Sequence, residues 1–287
     1  MSRGIVLIAL GHPNYGELAA NLAISLRNND STMPIHLIYS DGVLKELSEA
    51  HKSLFTNLEL VPESCITKNG KINYLKAKTF VYDLSPFHET IFIDVDTMWL
   101  QSKSIEQLFN ELSDIDFTMQ NRGMIDLENP VEKKEKYLWA SIHDVQKKFA
   151  KGLLYYLNSE FIYFKKTDKV KSLFEKAKEY YENPTIPTTA FNGDVADEIA
   201  FGLAMIELGI YPHKINYVPV YWFLMEGNKS IDKIKDDYYA YSVGGNRTAE
   251  DIRKKYNNLM KAYAYKLGLT PFPIKQKRHY LPERNKY

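Results

Sequence analysis

Two carboxylates stand two residues apart at the end of an apolar run, where Ile91-Phe92-Ile93 leads directly into Asp94-Val95-Asp96. The three apolar residues suit a buried strand. An unpaired carboxylate buried beside them would be heavily penalised, so the pair belongs where a sheet opens. Residues two apart on an extended chain face the same side. Two oxygen ligands so arranged suit a hard octahedral cation, Mn²⁺ or Mg²⁺, with diphosphate oxygens and water completing its shell. Such an ion neutralises charge developing on a departing diphosphate.

The elements that must position this pair follow an alternating rhythm. Gly4–Leu10 is a continuous apolar run and reads as a first strand, and Gly16–Arg27 has helical spacing through Leu18, Leu22 and Leu26. Pro34–Tyr39 reads as a second strand closed by the turn signal Ser40-Asp41-Gly42, and Val43–Phe55 as a helix. Leu58–Val61 is a third strand, and Asn73–Leu84 a helix that stops before Ser85-Pro86. Thr90–Ile93 is then the fourth. This order predicts a mostly parallel sheet with right-handed crossovers, and ligands at the carboxyl ends of its strands.

The second half is mixed. Asp116–Gln120 and Leu157–Phe164 read as strands, separated by a polar, partly helical excursion at Glu128–Lys151. Thr167–Tyr181 is an amphipathic helix, Asn183–Pro187 a loop, and Asp194–Leu208 a helix terminated by Gly209. Ile215–Val220 and Tyr238–Val243 are strand-like, and a last helix starts near Thr248 with acids in its first turn. Repeats, low-complexity tracts and linkers are absent. One α/β domain over residues 1–250 is expected, followed by a basic, aromatic C-terminal helix and tail over 251–287.

Composition is that of a globular chain, with 287 residues, 45% hydrophobic and 25% charged. Ile5–Leu10 is too short an apolar run for a secretion signal, and no stretch approaches a membrane span of about 18 apolar residues. Cys65 is the single cysteine, which excludes an internal disulfide and a thiolate metal site. A cytoplasmic location is the expectation, and no nucleic-acid partner is indicated. The formal net charge of +1 conceals an asymmetry, because the segment from Ile252 onward carries many Lys and Arg and a single acid, Glu283. Tyr256, Tyr263, Tyr265, Phe272 and Tyr280 interleave those cations. Such a tail suits anionic lipid headgroups at a membrane periphery or an acidic acceptor; a solvated helix with a ragged end accounts for it equally well.

The segment from Leu84 through Ser85-Pro86 and the Thr90–Ile93 strand to Asp94-Val95-Asp96-Thr97 closely resembles the Asp-x-Asp block of retaining glycosyltransferases of family 8 and their relatives. Proline, apolar strand, both acids and threonine occur in order, and the likeness extends over roughly Gly4 to Thr248. It implies a GT-A-like, Rossmann-type fold with a mostly parallel mixed sheet flanked by helices. The implied activity is transfer of a hexose from a nucleotide diphosphate sugar, a UDP-sugar favoured, to a carbohydrate, lipid-linked or protein acceptor with retention. Asp94 and Asp96 would then hold the metal and the diphosphate.

Other segments acquire roles from the same resemblance. Asn14-Tyr15 is similar to a nucleotide-contacting loop, with His12-Pro13 where the family often has an acid. Lys76 and Lys78 correspond to basic residues that reach the sugar or diphosphate, although a solvated helix face also explains them. Asn158 lies in a segment similar to the strand lining the donor-sugar pocket, with Glu160 in place of the usual glycine. Asp197 and Glu198 resemble the acidic element near the anomeric carbon; helix capping is the competing account. Tyr241 to Arg247 matches a His-x-x-Gly-x-x-Lys pattern in spacing, with Tyr241 for the metal-binding histidine. A neutral phenol is a poor ligand, so a weaker or more hydrated metal site is expected. Gly244 would let backbone amides approach phosphate, and Arg247 suits bidentate contact with the diphosphate.

Two rivals stay open, and a third class is disfavoured by its motif. A degenerate sugar- or nucleotide-binding protein would explain Tyr241 and Glu160. A sugar nucleotidyltransferase also uses paired acids, but normally opens with a Gly-rich basic loop, which Leu10-Gly11-His12-Pro13 is not. Phosphatases of the haloacid type place Asp-x-Asp on their first strand before Gly-Thr, whereas Thr97-Met98-Trp99 follows it here.

Overall fold

A computed structural model describes residues 2–129, 136–137, 139–190, 194–222, 227, 229–244 and 250–274. In chain order the first elements are β1 (Arg3–Ala9), α1 (Pro13–Asn29), β2 (Ile35–Tyr39), α2 (Glu49–Lys52) and β3 (Asn57–Leu60). Next come β4 (Thr67–Lys68), β5 (Lys71–Ile72), a 3-10 segment (Tyr74–Phe80), α3 (Val81–Leu84), β6 (Glu89–Ile93) and β7 (Thr97–Trp99). The middle holds α4 (Ile105–Glu111), β8 (Phe117–Asp126), β9 (Lys136–Tyr137), β10 (Ala140–Ser141), α5 (Ile142–Lys148) and β11 (Leu153–Lys165). Last are α6 (Asp168–Glu182), α7 (Asp197–Leu208), β12 (Val220–Trp222), α8 (Ile231–Ile234), β13 (Ala240–Ser242) and α9 (Glu250–Lys266).

Six strands form one sheet in the order β3-β2-β1-β6-β11-β8. β1, β2 and β3 run parallel, while β8 and β11 pair antiparallel. The expected α/β class, with a mostly parallel mixed sheet and flanking helices, is borne out. The chain divides into two compact units interleaved in sequence. The first comprises Met1–Gly4, Val61–Phe92 and Ser113–Val218; the second comprises Ile5–Leu60, Ile93–Leu112 and Pro219–Tyr287.

In the second unit, Ile5, Val6, Leu7 and Ala9 are fully buried, the unbroken apolar run expected of a parallel strand covered on both faces. Pro13 opens α1, where its missing N–H costs nothing, and the His12 ring accepts from the Asn14 amide at 3.2 Å. Asn14 and Tyr15 therefore sit in the first helical turn and not in a loop. Gly16 lies where α1 meets the chain after β2, and a Cβ there would stand 2.3 Å from the Val43 carbonyl oxygen. The helix expected over Val43–Phe55 shrinks to the four residues of α2. Gly42, at φ +75°, starts a run of turns, and Ser48 then caps α2. β12, β13 and β7 form a separate three-stranded sheet. The Asn28 amide donates to the Tyr263 carbonyl of α9 at 3.0 Å. The segment beyond α9 is held by paired amide bonds, Asn21 with Phe272 and Asn257 with Ile274, and by His51 Nε2 on the Thr270 carbonyl at 2.8 Å.

In the first unit, α6 turns Val170, Leu173, Phe174 and Ala177 inward, and Phe174 meets Phe201 of α7 edge-on at 5.2 Å. Gly209, at φ +62°, closes α7 as expected. α7 begins at Asp197 and not at Asp194, whose side chain is engaged elsewhere. The helix expected over Asn73–Leu84 is a 3-10 segment followed by a single α turn. The Glu128–Lys151 excursion holds only β9, β10 and α5, with residues 130–135 and 138 outside the described set. The strand expected at Ile215–Val220 does not form before Val220. Asn121 donates to the Lys214 carbonyl, accepts from the Asn216 amide, and holds Asn216 at φ +59° as a loop. In the second unit the Tyr238–Val243 strand shortens to β13. Among the described residues no helix is long and apolar enough to cross a membrane.

Candidate functional site

The Asp-x-Asp turn and the β7 strand it leads into lie in the second unit. Val95 is buried between two half-buried acids, so the two carboxylates share the more open side of the chain. Their backbone carbonyls are consumed internally. The Thr97 hydroxyl donates to the Asp94 carbonyl at 2.8 Å, and the Val243 amide donates to the Asp96 carbonyl at 2.8 Å. Further back, the Trp99 amide donates to Ser25 Oγ of α1 at 2.9 Å. The threonine after the acids thus has a physical task, which is to satisfy the turn's first carbonyl and leave the carboxylates outward.

Tyr241 is fully buried in β13, opposite Met98 of β7, and its ring lies stacked on Tyr221 at 5.5 Å and 15°. Its hydroxyl has no hydrogen-bond partner among the described residues. Burial, then the nearby Tyr221 and Asp251, pushes the phenol well above its usual range, so it is neutral at physiological pH. No group of three or more His, Cys, Asp or Glu side chains is arranged for a metal among the described residues. The donor set fits a cation held by one or two carboxylates and completed by substrate phosphate and water, as is usual for Mg²⁺. Gly244, at φ +58°, follows β13 with its amide on Ser242 Oγ at 3.3 Å. Arg247 lies outside the described residues.

A second cluster belongs to the first unit. Between the pairs Asn158–Gln120 and Ile162–Met119, β11 inserts Ser159, Glu160 and Phe161 against nothing on β8. The Asn158 side-chain carbonyl accepts from the Glu160 amide at 2.9 Å and so closes this bulge as an Asx turn. Ser159 is buried there; Lys78 Nζ donates to its hydroxyl at 3.0 Å, and the hydroxyl reaches Glu198 Oε1 at 3.3 Å. The Glu198 carboxyl is pushed up to about 8, first by burial and then by the adjacent Asp197, against the pull of Lys78 and of the Glu198 and Ser159 amides. It is therefore largely protonated near neutrality. Asp197 is buried, and its Oδ2 has no hydrogen-bond partner among the described residues.

The two candidate lysines separate. Lys76 is buried, donates to the Thr67 carbonyl at 2.6 Å and is ion-paired with Glu182, so its charge is engaged within the structure. Lys78 alone of the two reaches the Ser159–Glu198 cluster. Sequence reasoning passed over Ser159 and Asp194. The available signal was three successive polar residues, Asn158-Ser159-Glu160, inside an otherwise apolar strand, which is what a bulge leaves in a sequence.

Residues 2–113 match a family model described as "Mannosyltransferase putative". Among solved structures, the fold is similar to that of the WbbM bifunctional glycosyltransferase, with a TM-score of 0.56 at 13% identity over 94% of this chain. The match covers 50% of the WbbM chain, so this chain spans half the length of that relative. An active-site mutant of LgtC is similar with a TM-score of 0.53 at 15% identity, covering 93% of this chain and 97% of that one. No curated protein matches by sequence. The likenesses bear out a chain with the fold of GT-A glycosyltransferases, resembling those of family 8.

Proposed function

We propose that this chain is a metal-dependent hexosyltransferase, moving a sugar from a nucleotide diphosphate sugar to an acceptor hydroxyl with retention of configuration. The observation that carries this reading is the Asp94-Val95-Asp96 turn at the carboxyl end of β6, in a chain with a glycosyltransferase fold. Asp94 and Asp96 would hold Mn²⁺ or Mg²⁺, which supplies charge neutralisation for the leaving diphosphate. UDP-sugars are the favoured donors, and the matched family's description adds a mannosyl donor to the set worth testing.

In the reaction, the bond from the anomeric carbon to the diphosphate oxygen breaks and its electron pair leaves with the nucleoside diphosphate. The acceptor oxygen bonds to that carbon, and its proton passes to the departing phosphate. Asn158 offers an amide to sugar hydroxyls. Lys78 supplies a point charge at Ser159, and Glu198, carried as the neutral acid, donates a hydrogen bond that a carboxylate would not. Asp197 keeps a buried carboxylate oxygen available for oxocarbenium-like charge. Asn14, Tyr15, Gly244 and Arg247 are assigned to the nucleotide and diphosphate. A carbohydrate, lipid-linked or protein acceptor remains within the proposal, as does contact of the basic C-terminal residues with an anionic membrane.

The test is donor hydrolysis and transfer with Mn²⁺, expected to vanish in Asp94→Ala and in Asp96→Ala. A thermal-shift screen of nucleoside diphosphates and their sugars, with and without Mn²⁺, identifies base and sugar because a ligand of the native state raises its stability by mass action. No stabilisation by any of them would sink the reading. The buried phenol of Tyr241 favours one second reading, a binding protein without turnover, and stabilisation by donor without release of nucleoside diphosphate decides for it.

A further inference from the structure

One carboxylate outside the proposed machinery joins four segments of the first unit. Asp194 Oδ1 accepts from Lys68 Nζ at 2.7 Å and from the Val195 amide at 2.7 Å, and Oδ2 accepts from the Asn73 side-chain amide. Lys68 also donates to the Tyr181 carbonyl at 2.7 Å, with its ammonium 4.8 Å above the Tyr181 ring. The Tyr181 hydroxyl donates to Asn73 Oδ1 at 3.1 Å, and the same oxygen accepts from the Leu75 amide at 3.1 Å. Asn73 is thereby the cap of the 3-10 segment that carries Lys78. On its other side, Asp194 lies three residues before Asp197, where α7 begins.

The Lys68 side chain is only 7% exposed and that of Asp194 27%. A buried ion pair is weak evidence for stability, because desolvation offsets most of its attraction; fixing register is its best-attested use. Here the elements brought into register are the two that present Lys78 and Glu198 to the Ser159 hydroxyl. A 3-10 segment has poorer hydrogen-bond geometry than an α-helix and holds its position less firmly by itself.

We propose that Asp194 is a positioning residue which, through Asn73 and Lys68, locks the segment bearing Lys78 against the start of α7 and so keeps Lys78, Ser159 and Glu198 in contact. The inference rests on the reading of that cluster as sugar-handling machinery only where turnover is used to test it.

The experiment compares the full chain with Asn73→Ala, Asp194→Asn and the double variant Lys68→Met/Asp194→Asn. Titration of the Glu198 carboxyl is followed by carbon-detected NMR, assigned by the signal's absence in Glu198→Gln. Asn73→Ala leaves the Lys68–Asp194 pair intact and cuts the link to the Lys78 segment, together with the bond from the Tyr181 hydroxyl. It is expected to raise the Glu198 midpoint, since Lys78 is the cation that lowers it, and to reduce kcat by about tenfold with little change in donor KM. The double variant removes the uncompensated lysine, so it is expected to recover the Tm lost in Asp194→Asn while keeping the raised midpoint. An unmoved Glu198 midpoint in both Asn73→Ala and the double variant overturns the proposal, whatever happens to Tm. A wild-type chain that turns over no donor overturns the proposed function instead, and the NMR midpoint still decides the role of Asp194.

Discussion

Lys78 and Ser159 meet at 3.0 Å although 81 residues separate them, because β11 expels Ser159 from its ladder toward the segment after β5. The hydroxyl is the bridge between a cation and a carboxyl that burial and Asp197 raise and the cation pulls back down. Ser159→Ala removes that bridge without altering backbone or volume by more than one atom. It is expected to lower kcat on the order of tenfold with little change in Tm, and Ser159→Thr to recover part of the loss. Steady-state kinetics beside thermal unfolding checks this; an unchanged kcat would remove Ser159 from the site.

Glu198 sets a pH dependence of definite sign. Its carboxyl rises from the ordinary 4.5 to about 8 in the folded chain, with burial the first cause. Between those values the native state keeps a proton that the unfolded chain has released. The contribution to stability is therefore full below the unfolded value and declines as pH climbs through the window toward 8. Glu198→Gln mimics the neutral acid at every pH. It is expected to match wild type near pH 5 and to exceed it by about 1–3 kcal/mol near pH 9, less than the full window because the site relaxes around the charge. Denaturant unfolding at the two pH values is the measurement, and equal stabilities at both would show that Glu198 ionises normally.

Thr97 makes a narrower claim about the acidic turn. Its hydroxyl is the donor to the Asp94 carbonyl, in a fully buried position. Thr97→Val keeps the shape and strands that acceptor, at a cost of about 1–3 kcal/mol. If the bond also sets the carboxylates, the Mn²⁺ concentration giving half-maximal activity rises several-fold, while Thr97→Ser restores both quantities. Loss of stability with unchanged Mn²⁺ dependence would confine Thr97 to folding.

The acidic turn was legible because it coincides with a change of pattern, from an apolar strand to paired carboxylates, that suits the open end of a buried strand. The strand-and-helix rhythm of the first half was legible for the same reason, in that Ile5–Leu7 and Glu89–Ile93 are buried on both faces. The Ser159 bulge left only the polar run Asn158-Ser159-Glu160 as its mark, because where the ladder breaks depends on the register of a partner strand about 40 residues away. The short helices misled for a related reason. Val43 and Leu47 are buried at helical spacing, yet Gly42 at positive φ and the Ser48 cap divide that stretch into turns. Asp194 stood at the head of the expected helix, while its side chain is held by Lys68 and Asn73 and the helix begins at Asp197.

Gly16 explains why α1 can begin so close to the chain after β2. Any Cβ would collide with the backbone carbonyl of Val43 at 2.3 Å, and a backbone atom cannot swing aside as a side chain does. Gly16→Ala therefore loses about 1–3 kcal/mol from overpacking despite alanine's better helix propensity. If Asn14 and Tyr15 contact nucleotide, the displaced first turn also weakens nucleoside diphosphate binding, read as a smaller thermal shift. A variant as stable as wild type would mean that the Val43 turn yields freely.

Tyr241 decides how complete the metal site is. A buried hydroxyl without a partner costs stability, so Tyr241→Phe is expected to be neutral or to gain up to about 1 kcal/mol. The ring stack on Tyr221 survives that change. Because a neutral phenol contributes little to a hard cation, the Mn²⁺ concentration for half-maximal donor hydrolysis should be the same in Tyr241→Phe as in wild type. Tyr241→His offers an imidazole at the same register position beside β7 and should lower that concentration, at some loss of stability from the lost stacking area. A rise in the Mn²⁺ requirement of Tyr241→Phe would instead make the phenol oxygen a ligand, and the burial that keeps it protonated would then have to be relieved when the donor binds.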